Sequence, residues 1–215
     1  FPLARPEPPP DALEAEELAK ERVRLLLGRY GVLFRELLAR ELPALAWGPL
    51  FRALRRMELA GEVLAGYFFE GIPGPQFASP GAFRRLQEGL AEDPVYWLGA
   101  LDPASPCGLD LAEWRGAFPR RVPSNHLVFE GSRQVVVSRR GGAELELAPG
   151  PDHPQLREYL GFLRVLLTRE FDPEKALTVE KINGEPAGQS PYLAALRELF
   201  GATREPQGVR LFKRW

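Results

Sequence analysis

The hydrophobic period of this chain changes at Gly61, and that change constrains what its first part can fold into. From Asp11 onward, Ala15, Leu18, Ala19, Val23, Leu26 and Leu27 recur at three- and four-residue intervals, the spacing of one helical face. Glutamates gather in the first turns, where the helix dipole favours them, and Gly28 and Gly31 mark the exit. A second helix is predicted over VLFRELLARE, with Leu33, Phe34, Leu37 and Leu38 inward and Pro43 at its end. A third begins near Trp47-Gly48-Pro49, where proline suits a first turn, and runs through LFRALRRMEL until Gly61 closes it. Beyond Gly61 the period falls to two: Val63, Ala65, Tyr67 and Phe69 alternate with Glu62, Leu64 and Gly66. Gly71, Pro73, Gly74 and Pro75 form a loop, and Gln76-Phe77-Ala78 returns as a second strand. Three short helices followed by a β-hairpin make a winged helix, whose third helix is the one that usually enters the major groove. A further helix is predicted over Gly81–Leu90.

Composition shifts after Asp93-Pro94. VYWLGAL reads as a strand, LDPASPCGLD as a loop and LAEWRGAF as helical or irregular. HLVFEG, SRQVVVSRR and AELEL are three strands joined by Gly-Ser and Gly-Gly turns, a meander. Pro154–Phe171 is an amphipathic helix, ALTVEKINGEP a strand ending in an Asn183-Gly184 turn, PYLAALRELFGA a short helix and GVRLFKRW a last strand. The predicted class is α+β. It comprises an extended linker over 1–13, a winged-helix domain over 14–92, and a mixed β-barrel-like domain with two helices over 93–215.

Bulk properties narrow the function classes. Of 215 residues 45% are hydrophobic and 27% charged, and the net charge is −1, so no global field draws the chain to nucleic acid or membrane. Any DNA contact has to come from a local patch. No apolar run reaches a membrane span. One cysteine, Cys107, and two distant histidines, His126 and His153, offer neither a disulfide nor metal-ligand spacing. A reducing, cytoplasmic setting fits. No Walker A loop, GxGxxG, nucleophile elbow or HExxH occurs, so no cofactor or metal is expected in this chain. The opening FPLARPEPPP has no signal-peptide pattern and reads as a proline-stiffened linker or a disordered tail.

The candidate sites follow from residue type and position. Arg52, Arg55 and Arg56 share the outer side of the third helix, where they can bind phosphates or a guanine edge; a solvated face paired with Glu58 and Glu62 is the alternative. On the wing, Tyr67 can stack on an unpaired base and Gln76 can hydrogen-bond a base edge, or else both serve the wing itself. Leu111–Arg140 holds six arginines against two glutamates, the most basic stretch of the chain. Within it Arg115, Arg120, Arg121 and Arg133 are candidates for a phosphate track, with Arg139-Arg140 placed in an exposed turn. Base excision would need a carboxylate near the sugar of an extruded nucleotide; Asp102, Asp110 and Glu205 sit in loops that could supply it, where they also suit turns and caps.

The order of blocks carries a family resemblance. RYGVLFRELLARE, WGPLFRALRRMELAGEVLAGYFFEGIPGPQFASP, DPVYWLGAL, NHLVFEGSRQVVV and VEKINGEPAGQSPYLAALRELFGA together resemble the C-terminal region of bacterial large helicase-related (Lhr) proteins, from about Leu18 onward. The resemblance implies a piece of an ATP-dependent superfamily 2 helicase that translocates 3′ to 5′ on single-stranded DNA and unwinds duplexes or RNA:DNA hybrids. ATP and Mg would belong to a motor acting in cis or in trans, and a homo-oligomer is a further implied partner. The same C-terminal extension is similar to AlkZ-type winged-helix DNA glycosylases, and some members carry uracil-DNA glycosylase activity. Two departures stand out. The wing reads Gln76-Phe77-Ala78 rather than Gln-x-Gln or Gln-x-Asp, and no acid follows Glu205.

Overall fold

Asp11 opens the first helix by satisfying the helix's own orphan donors. Its Oδ1 accepts from the backbone N–H of Leu13 and Glu14 at 2.9 and 2.8 Å, while Glu14 Oε2 accepts from the Asp11 N–H at 3.1 Å, a capping box. The computed structural model describes residues 11–214, so most of the expected linker lies outside the described residues. The chain forms two units, one comprising residues up to 89 together with 109–115, the other comprising 90–108 and 116 onward.

The first unit contains α1 (Ala12–Tyr30), β1 (Val32–Leu33), α2 (Arg35–Leu38), α3 (Trp47–Leu59), β2 (Leu64–Gly66), β3 (Gln76–Ala78) and α4 (Pro80–Glu88). Helix α1 runs through Gly28 and stops at Gly31, whose φ of +73° is costly for a residue with a Cβ and whose N–H donates to Leu27 O at 2.8 Å. The segment predicted as one helix from Val32 is divided. Val32 and Leu33 pair with Ala78 and Phe77, Phe34 stays extended at φ −147°, and only Arg35–Leu38 is helical. The left-handed turn at Gly31 sets β-branched Val32 alongside β3, so ladder bonds replace helix bonds there. Strand β3 is central, with order β1-β3-β2. Phe77 is wholly buried at that centre, with the rings of Trp47 and Phe51 at 5.9 and 6.2 Å. Ser79 caps α4 by accepting from the Ala82 N–H at 3.1 Å. Leu109 and Leu111 join the same core, and a 3₁₀ turn, Ala112–Trp114, follows them.

The second unit contains β4 (Val95–Gly99), β5 (His126–Glu130), β6 (Arg133–Arg139), β7 (Glu144–Leu147), α5 (Leu156–Tyr159), α6 (Gly161–Thr168), β8 (Leu177–Val179), β9 (Lys181–Ile182), β10 (Glu185–Pro186), α7 (Leu193–Leu199), β11 (Gly201–Glu205) and β12 (Gly208–Phe212). The meander β5-β6-β7 forms as predicted, inside a six-stranded sheet of order β10-β9-β7-β6-β5-β4. The strand read over ALTVEKINGEP changes sheets at Glu180. Val179 pairs with Val209 in a second sheet, β11-β12-β8, while Ile182 runs parallel to Leu145 in the first. The fold is therefore α+β, and its β half is two sheets rather than a closed barrel among the described residues. The long helix predicted over 154–171 breaks at Leu160, whose ψ of −2° leaves the helical value. Tyr159, Leu160, Phe162 and Leu163 nevertheless all enter one core, since i, i+1, i+3 and i+4 positions share one side of a helix.

His126 is buried between Trp97 and Phe162, with ring centroids at 5.9 and 5.8 Å and Nδ1 without a hydrogen-bond partner. Burial, and secondarily the positive charge of Arg169, holds its pKa below the ordinary 6.5. Between the folded and unfolded pKa values the unfolded chain binds more protons at His126, so the His126 contribution to stability is full above pH 6.5 and is lost as pH falls through its lowered folded value. Urea midpoints measured from pH 7.5 to 5 should show this decline, and His126→Phe should flatten the His126 share. An unchanged slope in that variant would exclude His126 as its source.

Candidate nucleic-acid interface

Helix α3 buries Leu50, Ala53, Leu54 and Met57, and this fixes which residues face outward. Arg52, Arg55 and Arg56 are exposed, as the spacing predicts. Arg55 pairs with Glu58 on the same helix, and Arg56 with Glu16 of α1. Arg52 has no ion pair among the described residues and lines, with Arg56 and Glu16, a groove of about 400 Å³ between α1 and α3.

The wing is held from inside by Gln76. Its side chain is fully buried; Oε1 accepts from the N–H of Phe68 and Phe69, both at 2.9 Å, and Nε2 donates to Phe69 O at 2.8 Å. The expectation of a base-reading Gln76 is corrected by this geometry, because its polar atoms face the wing's own backbone. Tyr67, next to that clamp, is 82% exposed. Arg35 was not singled out by the sequence reading. It is exposed, has no ion pair among the described residues, and lines a hollow of about 230 Å³ with Trp47, Phe51 and Pro73–Pro75. Its signal was masked by reading the helix from Val32, which placed it mid-helix instead of at the start of α2.

The basic stretch Leu111–Arg140 is divided between the two units. Arg115 belongs to the first unit and Arg120, Arg121 and Arg133 to the second. Arg115 is exposed beside Asp110 at 3.4 Å. Arg121 is spent on structure: its guanidinium donates to the carbonyls of Ala100, Leu101 and Asp102 at 3.0–3.2 Å. Arg133 pairs with Glu130, and that hydrogen bond is the main cause of the lowered Glu130 pKa. Arg139 pairs with Glu146, and Arg140 with Glu144 and Glu180. Arg120 remains exposed with no ion pair among the described residues.

The three candidate acids stand on separate segments, and Glu205, expected in a loop, is the last residue of strand β11. Asp102 Oδ1 accepts from the Ala104 N–H at 2.8 Å, an Asx turn. Asp110 faces Arg115. Glu205 lies 3.5 Å from Arg210 and lines a hollow of about 250 Å³ with Glu180, Gln189 and Gln207. No aromatic side chain lines that hollow. Among the described residues no group of three or more His, Cys, Asp or Glu is placed to hold a metal ion, and no helix is long and apolar enough to cross a membrane.

Residues 12–98 match the winged-helix domain of the large helicase-related proteins. Over 206 residues, 88% of this chain, the sequence is 32% identical to a protein of Mycolicibacterium smegmatis named Lhr helicase/probable uracil glycosylase. The chain belongs to the C-terminal region of the Lhr family. An Escherichia coli relative, named Lhr helicase/uracil glycosylase, is 28% identical over 196 residues, 86% of this chain. The Lhr segment described here spans 14% and 12% of those two proteins.

Proposed function

We propose that this Lhr segment is a non-motor module of a DNA repair helicase that binds or guides DNA through the outer face of α3 and the adjoining wing. The observation that carries this reading is the state of the α3 arginines. Arg52 has no ion pair among the described residues, and Arg55 and Arg56 are tied only to surface glutamates. Exposed pairs are worth about 0–1 kcal/mol, so a phosphodiester strand can displace them at little cost. Arg35 and Tyr67 extend the same unit's surface with a further cation and a stacking ring. The motor, in cis or in trans, would supply ATP hydrolysis and Mg.

The test is fluorescence anisotropy with labelled single-stranded and duplex DNA over a range of salt. The variant R52A/R55A/R56A should weaken binding at least tenfold and lower the single-strand salt slope by about 2, at roughly 0.7 per phosphate contact. Unchanged affinity and slope in a folded variant would remove α3 from the interface. A second reading, uracil excision, draws on the relatives' names and on Glu205 lining a polar hollow with Gln189. That hollow lacks the aromatic wall an extruded base stacks on, so a uracil-bearing strand should survive incubation followed by alkali. Breakage abolished by Glu205→Gln would establish the enzyme reading instead. Concentration-dependent mass without DNA affinity would favour an assembly module.

A further inference from the structure

The turn that Gln76 organises forms one side of a pocket whose chemistry is unlike that of the α3 face. Phe34, Phe68, Phe69 and Trp114 supply aromatic walls to a hollow of about 360 Å³, and Glu70 and Glu113 line it. Phe34 and Phe69 meet edge to face at 6.4 Å, and Phe68 is braced by Phe83 at 5.8 Å. Glu113 comes from the segment 109–115, whose Leu111 is anchored in the winged-helix core. Its carboxylate lies against Gly71, at φ +75°, so closely that a Cβ there would stand 2.6 Å from an oxygen. Glycine is what permits that approach.

The carboxylates of Glu70 and Glu113 have no hydrogen-bond or ion-pair partner among the described residues. Elsewhere in the unit Glu16, Glu17, Glu41, Glu58 and Glu62 are paired, while Glu21, Glu36 and Glu88 also lack an ion pair among the described residues; what sets Glu70 and Glu113 apart is that both line one aromatic hollow. Two unpaired carboxylates on aromatic walls repel a phosphodiester, and a neutral apolar guest would desolvate them without compensation. The rings offer no oxygen ligands for a hard metal ion. A flat organic cation fits all of these features. It stacks on the ring faces and donates in a fork to the carboxylates, which a guanidinium does better than an ammonium because it is planar and more weakly hydrated. The volume lies at the small end of ligand pockets, roughly 300–1,000 Å³, and suits one side chain with its stem.

We propose that this pocket receives an arginine side chain from a basic segment of a partner polypeptide. The proposal does not depend on DNA binding by α3. The experiment follows the Gly71 amide and the Trp114 indole N–H of the whole chain by NMR during titration with end-blocked Gly-Gly-Arg-Gly-Gly. Its lysine and citrulline counterparts serve as comparisons. Saturable shifts with the arginine peptide are expected, several-fold weaker binding with lysine and none with citrulline. E70Q/E113Q should weaken the arginine peptide at least tenfold, while E17Q/E21Q, on exposed α1 positions, should leave it unchanged. Trp114→Ala tests the stacking wall separately, with thermal melting of each variant as the folding control. Equal binding of the citrulline peptide, or indifference to E70Q/E113Q, would overturn the proposal. So would a short single-stranded oligonucleotide saturating the same resonances, because the pocket would then be a nucleobase site.

Discussion

Replacing Gln76 by leucine should destabilise the wing by about 3 kcal/mol or more, although the two side chains are similar in volume. The loss comes from polar groups rather than from a cavity. Two backbone donors, Phe68 N–H and Phe69 N–H, and one acceptor, Phe69 O, lose their partner, and a buried polar group left unsatisfied costs about 1–3 kcal/mol. Strand β3 is paired on both sides, so the main chain cannot swing out to recruit water at no cost. The best measurement is hydrogen exchange at Phe68 and Phe69, because a chain of two units need not unfold in one step. Protection at these amides should fall about a hundredfold, at about 1.4 kcal/mol per decade. Gln76→Glu separates the two halves of the clamp: it keeps the acceptor for Phe68 and Phe69 but places a carboxylate against Phe69 O. Protection within twofold of wild type in Gln76→Leu would show that the clamp is dispensable. Both DNA affinity through Tyr67 and arginine binding at the 68–72 turn should weaken in step with the wing.

Gln76 also shows where the sequence was legible and where it was not. Helix α3, the hairpin and the β5-β6-β7 meander follow from period, glycine punctuation and proline placement, all of which are local. Whether Gln76 faces a base or the backbone depends on the return of residues 68–72 over β3, which no local pattern encodes. The same limit applies to Arg121, an arginine among arginines in sequence, whose occupation by three carbonyls arises only when the 100–102 turn meets it. Glu113 and Trp114 read only as part of a helical or irregular stretch, since their packing on the winged helix requires the chain to come back to that unit after Leu90–Gly108. Strand β11 was hidden because GATRE follows a helix without alternation; its pairing with β12 along five residues, with Ala202 partly buried against the core, overrides weak strand propensity. What was legible, then, is where glycine and proline punctuate the chain and that the α3 arginines face outward. What was not is the set of partners that charged and amide groups find across long sequence separations.

Gly131→Ala is expected to cost the second unit about 3 kcal/mol or more, far beyond the ordinary glycine-to-alanine penalty at a turn. The sequence marks this residue as the Gly-Ser turn between β5 and β6, and the structure adds a second constraint. At φ +56° a Cβ would be strained by about 1–2 kcal/mol, and it would also lie 2.4 Å from the Glu92 carbonyl oxygen. A backbone oxygen cannot rotate away as a side chain can, so the turn must separate from the strand leading into β4. That separation breaks the Gly131 N–H bond to Pro94 O and the bond from Tyr96 Oη to Gly131 O, both 2.9 Å. Gly184 isolates the collision from the strain. It has φ +83° in the β9–β10 turn with no atom near its Cβ position, so Gly184→Ala should cost only about 1 kcal/mol. Urea unfolding of the two variants, monitored on the second unit's amides, should therefore separate them by about 2 kcal/mol. Equal losses would mean that the 92–94 segment yields without resistance and that Gly131 is chosen for its φ alone. A clear gap would make the clamp on Glu92 and Pro94 the feature that holds edge strand β4, and with it Trp97 over His126, in register.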